Sequence, residues 1–165
     1  MRTIGIDPGT ARLGYGVIDD DAAGDPRAIA FGVFTTEAGG DMPTRLCTLY
    51  DHLTGLLHEH SPDVLAVEQL FFARNVTTAI TVGQARGIVL LAAAKAGVPV
   101  VEYSPSEIKH SVAGYGKAGK TQMQEMVRIV LGLASVPEPD DAADALAIAL
   151  CHAQTAPFLA RTGST

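Results

Sequence analysis

The chain has 165 residues, 47% of them hydrophobic, enough to build one domain over residues 1–155 with its own core, followed by a tail, 156–165, expected to be flexible. Its longest apolar run, residues 88–94, is far short of a membrane span, the opening residues do not read as a signal peptide, and Cys47 and Cys151 lack CxxC or zinc spacing, so a reduced cytoplasmic protein is expected. The net charge of −6 speaks superficially against nucleic acid, but residues 71–128 carry seven basic and three acidic side chains, a local +4, whereas residues 1–70 carry −7 and residues 129–165 carry −3. A basic band beside acidic segments suits a polyphosphate substrate; an ordinary fluctuation of charge is the plain alternative.

Residues 2–7 alternate, with Thr3, Gly5 and Asp7 on one face and Ile4 and Ile6 on the other. The turn Pro8-Gly9-Thr10 and a second apolar run, residues 14–19, predict a hairpin with a carboxylate near the end of its first strand. A polar loop leads to a third strand over 28–36, and a helix is predicted over 43–59. Residues 64–68 read as a fourth strand that ends on Glu68. The long helix Val76–Ala96 is apolar beyond one face, and Gly83 and Gly87 permit close helix approach; should the chain pair with a second copy, this helix is the expected contact, a purely core helix being the alternative.

Gly97 ends that helix before a fifth strand over 98–103. Ser104-Pro105-Ser106-Glu107 then supplies a cap, a first-turn proline and a capping-box glutamate for a helix over 104–112. Residues 114–120 form a basic loop with three glycines and with Lys117 and Lys120; its spacing is not that of a Walker A loop, and it could simply connect two helices. Helices over 121–131 and 140–153 follow, the last opening on Asp140, Asp141 and Asp144. Three early strands followed by alternating helix and strand predict an α/β fold: a mixed five-stranded sheet, its first three strands an antiparallel meander, flanked by helices.

The acids are scattered in sequence, yet each stands at the end of an apolar element. If the first and fourth strands run parallel side by side, their C-terminal ends bring Asp7 and Glu68 together, where open α/β sheets collect their sites. Asp141 and Asp144 share one helical face. Such a cluster of hard oxygen donors suits divalent metal and phosphoryl transfer. Simpler readings stand beside this one: Asp7 as a turn acid, Asp140 and Asp141 as acids favouring a helix N-terminus, His152 as a packing or surface histidine. Gly5-Ile-Asp-Pro-Gly-Thr10 also looks like the phosphate loop of actin-like ATPases and sugar kinases, but that architecture needs two domains around its nucleotide, and this chain supplies one.

In combination and in this order, several segments are more specific. They are Gly5-Ile-Asp-Pro-Gly-Thr with Gly14-Tyr-Gly-Val-Ile, Val67-Glu-Gln-Leu-Phe-Phe-Ala-Arg-Asn75, Gly83-Gln-Ala-Arg-Gly87, Lys109 with Gly114-Tyr-Gly and Lys120, and Asp141-Ala-Ala-Asp-Ala-Leu-Ala-Ile-Ala149. Through them the chain, to about His152, closely resembles the bacterial RuvC-type Holliday junction resolvases of the RNase H-like, retroviral-integrase-like superfamily. The resemblance implies catalytic, metal-holding acids at Asp7, Glu68, Asp141 and Asp144, the third being histidine in some members. It implies catalytic lysines at Lys109 and Lys120 and a junction-contacting aromatic at Phe71; Phe72, Arg74 and Lys117 extend the expected DNA surface. It further implies two Mg²⁺ ions per subunit, with Mn²⁺ able to substitute, products with 5′-phosphate and 3′-hydroxyl ends, a four-way junction as substrate, a homodimer, and a branch-migration motor as partner. Asp140 is an acid outside the family pattern and is given no catalytic role. Overall acidity is a second departure, since the family is often more basic. A catalytically silent junction- or nucleic-acid-binding module is the alternative function, which the four retained acids oppose.

Overall fold

Alternation sorts the first strand as expected. In β1 (Arg2–Asp7), Ile4 and Ile6 are fully buried on one face of the sheet, while Thr3, Gly5 and Asp7 turn to the other. The computed structural model describes residues 1–20, 24–70 and 76–162. β1 pairs antiparallel with β2 (Arg12–Asp20), which pairs antiparallel with β3 (Pro26–Thr35). On its other edge β1 runs parallel to β4 (Val64–Glu68), and β4 runs parallel to β5 (Val100–Tyr103), giving the order β3-β2-β1-β4-β5. The mixed sheet with its antiparallel meander is the one the sequence predicts.

Helices α1 (Met42–His60) and α2 (Val76–Ala96) cover the face that carries Ile4, Ile6, Leu65 and Val67. Helices α3 (Pro105–Ala113), α4 (Lys120–Val130) and α5 (Asp140–Thr162) belong to the opposite face, with Ile18, Ala66 and Tyr103. That second face is made of small residues. A Cβ added to Gly5 would stand 2.1 Å from the carbonyl oxygen of Ala145, and one added to Gly14 would stand 2.0 Å from that of Asp141. The glycines of β1 and β2 therefore let the alanine-rich start of α5 lie against bare strand backbone, which no larger residue would permit. This contact fixes the height of Asp141 and Asp144 above the end of β1.

Several boundaries differ from expectation, most by a residue or two, and three of the differences have a clear local cause. β2 starts at Arg12 because the ladder to β3 continues to the pair Arg12↔Thr35. β5 starts at Val100, because the Gly97 and Val98 amides close the end of α2 on Ala94 and Ala93, while Pro99 offers only its carbonyl, to Leu65 N. α5 continues past 153 to Thr162 with Pro157 inside it, so the expected tail is helical through that residue. A proline that far along withdraws a single amide from the helical ladder, which here does not end the helix.

Candidate active site

The parallel register Ile6↔Val67 sets the next residues, Asp7 and Glu68, side by side at the C-terminal ends of β1 and β4. α5 crosses the same face and adds Asp144. Together with Lys109 from α3 and Lys120 from the start of α4, these three acids line a cleft of about 270 Å³, floored by Ile108, Met123 and Ile148. The predicted capping box orients α3: Ser104 Oγ accepts from the Glu107 amide at 3.2 Å, and Glu107 Oε2 accepts from the Ser104 amide at 2.7 Å. Lys120 opens a helix whose cap residue, Gly119, offers no side-chain bond. A cation there faces the positive end of the helix dipole. Carboxylates offset it: Lys120 Nζ lies 2.6 Å from Asp140 and 3.7 Å from Asp144.

The acids repel one another in partial burial. The Asp7 carboxyl is pushed up to about 7, first by burial, then by the charges of Asp144, Glu68 and Asp141, with Lys120 opposing. Burial followed by Asp144 raises Glu68, against the pull of Lys109. Asp144 is raised by burial, against Lys120. Among the described residues no buried cation neutralises this cluster; the two lysines at its rim compensate it in part. Hard oxygen donors carrying surplus negative charge fit a divalent cation of the Mg²⁺ or Mn²⁺ kind.

Asp141 behaves differently. It does not line the cleft; its carboxylate lies 2.9 Å from Arg12 Nη2 at the start of β2. Among the described residues, no three His, Cys, Asp or Glu side chains converge closely enough to hold one ion. The structure thus brings together Asp7, Glu68, Asp144, Lys109 and Lys120, and leaves Asp141 turned to an arginine. Lys117 is exposed and outside the cleft, and Phe71, Phe72 and Arg74 lie outside the described residues. The basic band is partly spent: Arg86 pairs with Glu102 at 2.5 Å and Arg128 with Glu125 at 2.6 Å. Sequence reasoning missed Arg12, and it read Asp140 only as a helix-terminal acid. Asp140 is that, in the first turn of α5, and it also grips Lys120. His152 is a packing histidine, hydrogen-bonded to Tyr103 at 2.7 Å.

Comparison with known proteins gives the family. Residues 3–152 match the family described as Crossover junction endodeoxyribonuclease RuvC. The chain is similar to the crossover junction endodeoxyribonuclease RuvC of Chloroflexus aggregans, 60% identical over 163 residues and covering 99% of each chain. The Chloroflexus aurantiacus protein of the same name is 58% identical over 163 residues, again covering 99% of each chain. Among solved structures, Thermus thermophilus RuvC in complex with a Holliday junction substrate superposes with a TM-score of 0.90 at 41% identity over 96% of both chains.

Proposed function

The chain belongs to the crossover junction endodeoxyribonuclease RuvC family, and on that premise we propose that its cleft is the catalytic centre of a structure-selective endodeoxyribonuclease. It resolves Holliday junctions by paired, symmetric, metal-dependent nicks in recombination and DNA repair. One observation carries the assignment: Asp7, Glu68 and Asp144, far apart in sequence, face one cleft with Lys109 and Lys120 at its rim.

Asp7, Glu68 and Asp144, joined by Asp141, would hold two Mg²⁺ ions per subunit, or Mn²⁺ in their place. When bound, such ions supply an activated water and positive charge at the scissile phosphate. The protein's own part is to present Asp7 and Glu68 on rigid strand ends and Asp144 on the helix packed above them. Because the Asp7 carboxyl sits near 7, it sheds a proton as cations load, so loading is favoured as pH rises. Lys109 and Lys120 would stand against the phosphate and take up charge that builds during in-line attack. The cut then leaves 5′-phosphate and 3′-hydroxyl ends.

A four-way junction has near two-fold symmetry, so paired nicks call for a two-fold dimer. We assign the contact to α2. Ile80 and Leu91 are 57% and 49% exposed on that helix, and an apolar groove lined by Leu46, Tyr50, Ile88 and Leu91 lies between α1 and α2. Residues Ala79–Ala96 are long and apolar enough to cross a membrane. However, Ala85, Val89 and Ala93 are fully buried in the core, and Arg86 is ion-paired to β5, as befits a helix of a packed layer. Phe71, Phe72, Arg74 and Lys117 are proposed to touch DNA, and the branch-migration motor is proposed as a partner on family membership alone. Both cysteines are free thiols, which fits a reducing cytoplasm.

Cleavage of a synthetic four-way junction beside a matched linear duplex, with and without Mg²⁺, tests the reading. Paired nicks in the junction alone, dependent on Mg²⁺, are expected. Junction binding without cleavage would replace it with a silent binding module.

A further inference from the structure

Asp141 and Asp144 stand one helical turn apart, yet only Asp144 reaches the cleft. The backbone of Asp141 lies close against β2, since a Cβ added to Gly14 would stand 2.0 Å from its carbonyl oxygen. What remains free is its side chain, and that is held by Arg12, two residues before Gly14 on the same strand, at 2.9 Å. The pair is open to water, with Arg12 50% and Asp141 29% exposed. Ion pairs of that kind are weak and are screened by salt. A divalent cation held by several carboxylates is a much stronger competitor for the same oxygens.

We propose that Arg12 is a positioning residue for the metal centre: in the cation-free protein it holds the Asp141 carboxylate outside the cleft, and it must release that carboxylate for the centre to close. The inference rests on the metal-centre reading above. Arg12 therefore competes with the cation, and its removal makes loading easier. An arginine that merely tethered α5 to β2 would do the opposite, since its loss would loosen a ligand-bearing helix.

The test is a Mg²⁺ titration of the DNA-free protein, read by thermal unfolding, for the wild-type chain, Arg12→Gln, Arg12→Lys and Asp7→Asn. Arg128→Gln serves as a control that removes the same charge from a remote pair with Glu125. Arg12→Gln is expected to reach half-maximal stabilisation at a Mg²⁺ concentration about two- to fivefold lower than wild type. The gap should shrink in high salt, Arg12→Lys should fall near wild type, and Arg128→Gln should move little. A midpoint for Arg12→Gln that is unchanged, raised, or no lower than that of Arg128→Gln overturns the competition. Absence of any Mg²⁺ shift in the wild-type chain, matching Asp7→Asn, removes the metal reading itself and the Arg12 role with it. A wild-type shift that Asp7→Asn lacks leaves the metal reading standing, whatever Arg12 does.

Discussion

The first turns of α5 and its middle bury ionisable groups over the same face of one sheet and treat them in opposite ways. At mid-helix His152 is 6% exposed, and its Nδ1 has a hydrogen-bond partner. Thr155 Oγ1 donates to the Cys151 carbonyl at 2.7 Å, so it accepts from Tyr103 Oη at 2.9 Å, which leaves the Tyr103 oxygen to accept from His152 Nδ1 at 2.7 Å. That chain fixes the tautomer, and burial lowers the His152 pKa. At the N-terminal end Asp144 meets Asp7 and Glu68, among the described residues no buried side-chain cation pairs with them, and each carboxyl is raised. Burial matched by hydrogen bonds builds structure; burial left uncompensated keeps a place for a cation.

Breaking the uncompensated end should have the largest effect. Asp7→Asn or Glu68→Gln is expected to cut junction cleavage by on the order of 10²–10³-fold, with junction binding largely intact. Cleavage and gel-shift assays on the same four-way junction check this. Lys120→Ala comes next. Its single-turnover rate at saturating enzyme should fall about tenfold or more, with a smaller loss of binding, because the lysine meets charge that peaks in the transition state. A normal saturated rate with weakened binding would demote it to a backbone anchor.

The partnered region should answer in stability alone. Tyr103→Phe strands the His152 Nδ1 proton in a buried site, at a cost of about 1–3 kcal/mol, while the cleavage rate of the folded variant stays at wild type. Denaturant unfolding beside single-turnover cleavage separates the two. The two regions also give pH slopes of opposite sign. With its pKa lowered, His152 contributes stability that is present above 6.5 and lost as pH falls below it. Asp7, raised from 3.8 to about 7, holds its proton in the folded state, so its stability contribution is lost as pH rises through that window. The smallest effect is expected of Asp140→Asn. It releases Lys120 from one of two exposed pairs, and cleavage should stay within about twofold of wild type.

Much of this was legible in the chain. Period-two alternation put Asp7 and Glu68 on one face of their strands, whereas the parallel pairing of β1 with β4 that joins them entered only as a condition, which the structure meets. Glycine and alanine at positions 5, 14, 145 and 149 were visible as residues, but their meeting was not, since nothing local in a strand states which helix will lie on it. For the same reason the grip of Arg12 on Asp141 and of Asp140 on Lys120 escaped sequence reasoning. Each joins elements brought together only by the fold, and each side chain had a sufficient local reading of its own. α5 outran its expected end at 153, continuing through Pro157 to Thr162.

Chemical denaturation of wild type and Asp7→Asn at pH 8, first with chelator and then with Mg²⁺, tests most directly that the cleft carries negative charge meant for a cation. Without divalent cation the variant should be the more stable by about 2 kcal/mol, because it removes a charge that the fold disfavours. With Mg²⁺ the wild type should recover that difference or exceed it. A variant less stable than wild type in chelator, or a difference indifferent to Mg²⁺, would contradict the account.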